Sequence, residues 1–224
     1  MEQEPSGAAT TAVDRRAKAV DATRLHILAT AERLFAERGL YAVSNRRISA
    51  AAGQGNNAAV GYHFGTKHDL VRAIVRRHVD HVEALRRRMV AAVDGSADVR
   101  DWVDCLVRPV TAHLASLGDP TWFARFAAQA LTDPAFRAVM AEEALATPSL
   151  RQVLDGIGRC LPDLPADVRA ERGDMVRNLM MHVCAERERA LADRVATVRT
   201  TWDEAANGLV DVITALWQAP TTRP

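Results

Sequence analysis

Residues 44–67 read SNRRISAAAGQGNNAAVGYHFGTK, and the fold follows from how this stretch divides. Gly53 and Gly55 split it into two short runs. Each run is preceded by a side chain able to accept helix-start N–H groups, Ser44 before Asn45 to Ala52 and Asn56 before Asn57 to Phe64. Isolated helices of about two turns do not form in water, because nucleation costs more than a few hydrogen bonds recover. They need a support, and the preceding segment offers one. Between about Asp21 and Arg38, Ile27, Ala31, Leu34 and Phe35 (with Leu28 beside them) recur at helical spacing, and Gly39 ends the run. Ile48, Val60 and Phe64 are expected to pack against the Leu34/Phe35 face. The product is a helix-turn-helix, its last short helix held outward with its tip free to enter a DNA groove.

Working outward, strand signals are scarce and apolar residues recur every three or four positions. The fold class is therefore all-α: a three-helix N-terminal unit, then a larger helical domain. Thr66 is placed to cap a fourth helix reaching about Ala92, with Val71, Val75, His78, Val82, Leu85 and Met89 along one face. Asp94-Gly95-Ser96 makes a break. Further helices are expected at about 99–117, 121–131, 134–146, 149–160, 166–192 and 195–217, with a turn at Pro162 to Pro165. The domain expectation is a disordered tail over 1–20, a helix-turn-helix domain over 21–67, and a helical effector-binding and dimerisation domain over 68–224.

Charge is also unevenly divided along the chain. Arg15 to Arg88 holds 15 Lys/Arg against 6 Asp/Glu, while the rest holds 14 against 22, so a net charge of +1 conceals a basic head and an acidic body. A basic module suits a polyanion. Cys105, Cys160 and Cys184 are odd in number and widely spaced, which argues against a disulfide framework or zinc site and for small buried side chains. No run nears the roughly 18 apolar residues of a membrane span, and the N-terminus lacks the apolar middle of a signal peptide, so a cytoplasmic protein is expected. No Gly-x-Ser-x-Gly, phosphate loop or His-Glu-x-x-His is present, and no enzyme or cofactor is expected.

Ile27-Leu28…Ala31…Leu34-Phe35…Gly39, Ser44…Arg46…Ile48, Ala51-Ala52-Gly53 and Tyr62-His63-Phe64-Gly65-Thr66-Lys67…Leu70 closely resemble the DNA-binding domain of TetR-family regulators. The resemblance covers about fifty residues. It implies that Ser44 and Arg46, with Arg47 helping, touch phosphates, and that Asn56, Asn57, Ala58 and Gly61 face the bases. It further implies that Tyr62 and His63 brace the DNA backbone and that Lys67 clamps a phosphate. Arg15, Arg16 and Lys18 would form a basic arm or simply keep the chain soluble. Two departures stand out: the interval from Gly53 to Phe64 is one residue longer than the common pattern, and Gly61 stands where a tyrosine is frequent.

One helix-turn-helix makes few contacts, so a homodimer on an inverted-repeat operator in double-stranded DNA is expected. Val195, Val198, Trp202, Ala205, Leu209, Val212 and Leu216 form a heptad seam for that interface, with Leu179 and Val183 of the preceding helix beside it. The same seam would also serve burial within one subunit. Trp102, His113, Trp122, Phe126, Met180 and His182, with Phe123, Met140 and Met181, are candidates to line a pocket for a small-molecule effector, or are core; Arg177 and Asn178 are candidate polar contacts. The function expected is a repressor released by its ligand. The alternatives are a ligand-independent regulator or activator with the same DNA-binding mode, or a metal sensor using His78 and His81 near Asp80. Since His78 lies on the apolar stripe, a packed histidine is the simpler account, and no metal is expected.

Overall fold

The computed structural model describes residues 7–221, with side chains described from residue 17 onward. Among the described residues there are ten helices and no strand: α1 (Gly7–Arg38), α2 (Asn45–Ala51), α3 (Ala59–Phe64), α4 (Lys67–Ala92), α5 (Val99–Ser116), α6 (Phe123–Leu131), α7 (Pro134–Leu145), α8 (Pro148–Cys160), α9 (Ala166–Ala192) and α10 (Trp202–Gln218). None is long and apolar enough to cross a membrane. The all-α expectation holds.

Three of the helix starts that differ from the sequence reading do so for a local reason. First, α1 begins at Gly7 rather than near Asp21, so residues 7–20 of the expected disordered tail are helical; residues 1–6 lie outside the described residues. This segment is alanine-rich, and no breaker separates it from the amphipathic stripe. Second, α3 begins at Ala59 rather than Asn57. The Asn56 side chain accepts the Ala58 N–H at 2.8 Å and its carbonyl accepts that of Ala59 at 3.0 Å, which spends two residues on a turn before the helix. Third, α10 begins at Trp202 rather than Val195. Thr201 and Glu204 form a capping box there. The buried Arg187 guanidinium meanwhile holds the preceding loop open by donating to the Arg199 and Thr200 carbonyls. Val195 and Val198 consequently sit exposed in a loop.

One core cluster runs from Ile27 to Trp217. Ile48, Val60 and Phe64 are buried together with Ile27, Leu34 and Phe35, so the support expected for the two short helices is present. Behind them α1 rests on α6, where Phe35 stacks on Phe126 with ring centroids 6.1 Å apart. The central helix α5 packs against α4, α8 and α10, and α6 packs against α9. Cys105 and Cys184 are buried free thiols, pushed up by that burial to about 11 and about 12.

Several polar groups inside this core are paired across elements. Glu188 of α9, 1% exposed, accepts from Thr121 Oγ1 at 2.6 Å and from the Ala124 and Arg125 amides, so it caps α6, whose own N-cap side chain makes no such bond. His78 of α4 bonds through Nε2 to Glu32 of α1 at 2.8 Å and through Nδ1 to His113 Nε2 of α5 at 2.8 Å, and its ring stacks on Phe123 at 3.8 Å. Burial, followed by the charges of His78, His81 and Arg77, pushes His113 down to about 4.

Two outcomes are expected. At Gly156 an added Cβ would lie 2.2 Å from Trp102 Cδ2, inside a fully buried indole. Gly156→Ala should therefore lower the unfolding free energy by about 2 kcal/mol or more, read from urea denaturation. For His113, the unfolded chain binds a proton near the ordinary imidazole value while the folded chain resists until about 4. Its contribution is thus complete above that ordinary value and is lost as pH falls toward about 4. Unfolding free energy should fall more steeply across this window in the native chain than in His113→Leu; equal slopes would refute the assignment.

Candidate functional site

The surface made by α2, α3 and the turn between them is assembled from the inside. Ser44 caps α2 by accepting the Arg47 N–H at 3.2 Å, which leaves Arg46 and Arg47 exposed on its first turn. Gly53, with φ of 64°, turns the chain in the left-handed region that favours glycine. Buried Ser49 then ties the two helices together: its Oγ donates to the Asn57 carbonyl at 3.2 Å and accepts the Val60 N–H at 3.4 Å. Ser49 was not anticipated, because a serine inside a short helix carries no local signal that it faces inward.

With Ala59, Val60 and Phe64 buried, the opposite side of the segment faces solvent: Asn56, Asn57, Ala58, Gly61 and Tyr62 are all exposed, Tyr62 at 85%. His63 is half-buried, its ring edge-on to Tyr62 at 5.1 Å. The carbonyl of His63 accepts from Arg24 Nη1 at 2.6 Å, and that guanidinium lies 4.6 Å from the centre of the Phe64 ring. Arg24 therefore fastens the C-terminal end of α3 to α1, another tie the sequence reading missed. Lys18 is exposed on α1, and the Arg15 and Arg16 side chains lie outside the described ones.

Lys67 is the main correction on this surface. Its Nζ donates to the Leu40 and Val43 carbonyls, both at 2.8 Å, and partial burial pushes its pKa down. The loop after α1 ends in carbonyls that no helix satisfies, and the ammonium takes them. Two of its three donors are thus committed inward, holding the α1–α2 loop rather than standing free for a phosphate. At the same junction Thr66 and Asp69 form a capping box, which holds the Asp69 carboxyl below the usual range.

Behind the α2–α3 unit lies a cavity of about 550 Å³ between α4, α5, α7, α8 and α9. Val75, His78, Val79 and Val82 of α4 form one wall, Met180 and Met181 part of another. Of the six pocket candidates read from sequence, Met180 alone lines it. Trp102 is core, its indole N–H donated to the Ser96 carbonyl at 3.0 Å; His113 is buried behind His78; Phe126 packs on Phe35 and Phe123. Trp122 is half-buried beneath Arg125, and His182 is exposed on α9. Phe123, Met140, Met181 and Arg177 do line the cavity, and Asn178 is exposed. Arg86, buried at 5% exposure, enters its wall and is pushed down to about 10 by desolvation. His78 and His81 diverge: both ring nitrogens of His78 are bonded within the core, and His81 Nδ1 bonds the Arg77 carbonyl at 2.8 Å.

The expected dimer seam is split. Ala205 and Leu209 are buried on the α10 face that meets α5, Trp202 and Leu216 are half-buried, and Val212 is 54% exposed. Met175 and Val183 of α9 are also exposed.

Residues 27–74 match the family model described as bacterial regulatory proteins of the tetR family, and residues 104–215 match the tetracyclin repressor-like C-terminal domain. Among solved structures, a TetR-family transcriptional regulator from Mesorhizobium loti is 15% identical, covering 89% of this chain and 95% of its own, with a TM-score of 0.47. PfmR from Thermus thermophilus is 19% identical over 88% of this chain and 96% of its own, with a TM-score of 0.45. RolR in complex with resorcinol is 15% identical over 92% and 98%, with a TM-score of 0.44. No curated protein matches.

Replacing Lys67 by alanine strands two carbonyls, and the expected result is a loss of about 2 kcal/mol in unfolding free energy. A variant as stable as the native chain would show the two hydrogen bonds to be dispensable.

Proposed function

The chain belongs to the TetR family of bacterial regulatory proteins and is a DNA-binding transcription regulator; on that premise we propose that it is a repressor, bound as a homodimer to an inverted-repeat operator and released when a small molecule fills its cavity. The observation that carries the reading is the uncovered row Asn56, Asn57, Ala58, Gly61 and Tyr62 on a segment whose other side is wholly buried. A B-form major groove about 12 Å wide admits a helix presented in this way. Asn57 carries the paired donor and acceptor that match an adenine edge, Asn56 keeps its amide N–H groups as donors while its Oδ1 holds the Ala58 N–H, and Ala58 offers a methyl to a thymine. Ser44, Arg46 and Arg47 contact phosphates, while Tyr62 and His63 brace the backbone. Gly61 leaves space for close approach, since a Cβ there would meet nothing within 4 Å.

Residues 21–67 act as the reading head and residues 68–224 as the sensing and pairing body, in the cytoplasm where the chromosome lies. The two bodies pair through the outer faces of α9 and α10, around Met175, Val183 and Val212, in an isologous contact that sets the distance between heads. Release works through α4, which leads out of α3 by way of Gly65 and also walls the cavity. A ligand that fits better when α4 has moved shifts the dimer from its DNA-bound spacing, by no more than its differential affinity for the two states.

Operator selection from random duplexes should recover an inverted repeat. Asn57→Ala should then relax preference at one or two positions, by about 1–3 kcal/mol each. Arg46→Ala should weaken binding to every sequence and lower the slope of log affinity against log salt by about one. Failure to recover any repeat, with non-specific binding intact, would remove the reading head from this face. Introducing Met175→Glu with Val212→Glu should give monomers by sedimentation and abolish operator binding; a dimer that persists places the interface elsewhere.

A further inference from the structure

Resting on the reading that the cavity is the effector site, we propose that its ligand is an apolar monocarboxylic acid, its carboxylate held by Arg169 and Arg177 beside Trp217 and its apolar body running along α4 toward His78. The cavity wall contains three guanidiniums, Arg86, Arg169 and Arg177, against one carboxylate, Asp174. The arginines are incompletely satisfied. Arg169 donates through Nη2 to the Leu164 carbonyl at 3.1 Å, and Arg177 pairs through Nη1 with Asp174 at 2.8 Å, yet Nε of each is buried without an acceptor. The indole N–H of Trp217, a third cavity residue, is likewise buried and unpartnered. Buried donors normally find acceptors, so a wall with this surplus is short of a group that supplies them.

All three residues line the same cavity. Arg169, Gly173 and Arg177 follow one another at four-residue steps and therefore share a face of α9. Trp217 reaches over the gap at Gly173, its Cη2 4.0 Å from where a Cβ would stand. A carboxylate presents two acceptor oxygens in the plane that a guanidinium fork matches.

The opposite end is apolar. His78, stacked on Phe123, marks it, with Val75, Val79, Leu131 and Met140 around them. From Val75 to Arg86 the α4 wall extends about 16 Å, long enough for an extended hydrocarbon body. A volume of about 550 Å³ is that of a small-molecule site rather than of a packing defect. Because most of the remaining wall is apolar, a ligand with many further polar groups would leave most of them unsolvated there. The tail of the acid then ends against the His78–Glu32 bond that joins α4 to α1.

Calorimetric titration of the full-length protein with dodecanoate, 4-phenylbutyrate, and the methyl ester and primary alcohol of the same skeletons tests this. At least one acid should bind about tenfold or more tightly than its ester and alcohol. Arg169→Met and Arg177→Met, checked for folding by circular dichroism, should bring the acid level with the ester while leaving the ester unchanged. If either variant fails to fold, the acid-to-ester ratio in the native chain decides alone. Neutral compounds binding as tightly as the acids, or no acid binding, overturns the proposal. Operator release is measured separately by fluorescence anisotropy. Acids that bind without releasing DNA leave the ligand class standing and sink the released-repressor reading; release by a neutral compound, with no acid bound, does the reverse.

Discussion

Two helices of seven and six residues cannot hold themselves together in water, and the arrangement of this protein follows from that constraint. Their order is supplied from below, by Ile48, Val60 and Phe64 closing on Ile27, Leu34 and Phe35, and by the Ser49 hydroxyl bridging one helix to the other. The α1 face that supports them is itself fixed from behind by α6. Since Ile48, Val60 and Phe64 are spent on this packing, the remaining surface of the α2–α3 unit is made of polar groups, small side chains and the exposed Tyr62 ring. Such a surface can meet a hydrated duplex without a large desolvation cost.

The same dependence joins the head to the body. Phe35 supports α3 on one side and meets Phe126 on the other. The Tyr41 hydroxyl, in the loop after α1, donates to Asp133 at the start of α7, and His68 stacks on Phe136 at 4.8 Å. Further along α4, Arg72 and Arg76 share Glu143 at 2.7 Å each. Burial pushes that carboxyl up, but the hydrogen bonds and charges of Arg76 and Arg72 outweigh it and hold it below the usual range. The buried bond from Glu32 to His78 adds a directional link that a purely apolar contact lacks. Displacement of α4 is therefore felt by α1 and α7 together, which suits a helix that both walls a cavity and follows directly on the DNA-facing segment.

Much of this was legible in the chain. Glycines, caps and three–four spacing located α2, α4 and α9 closely, because each depends on neighbours within one or two turns. The departures share a pattern. Asn56 acts on its own following amides, so α3 starts late; Thr201 and Glu204 form a capping box whose local signal lies within a longer apolar repeat. On α4 the buried face turns toward Arg86 rather than Leu85.

The sequence by itself determined the helical class and the helix-turn-helix, since local hydrogen bonding and periodicity suffice for these; which residues of its last helix face outward was implied by the family resemblance. Tertiary structure alone decided where long polar side chains point. Lys67 turns to the Leu40 and Val43 carbonyls, and Glu188 caps a helix more than sixty residues away in the chain. It also decided that Met180 faces the cavity while His182, two residues on, faces solvent. A flexible side chain goes where unsatisfied partners are, and those partners are brought near only by packing between distant helices.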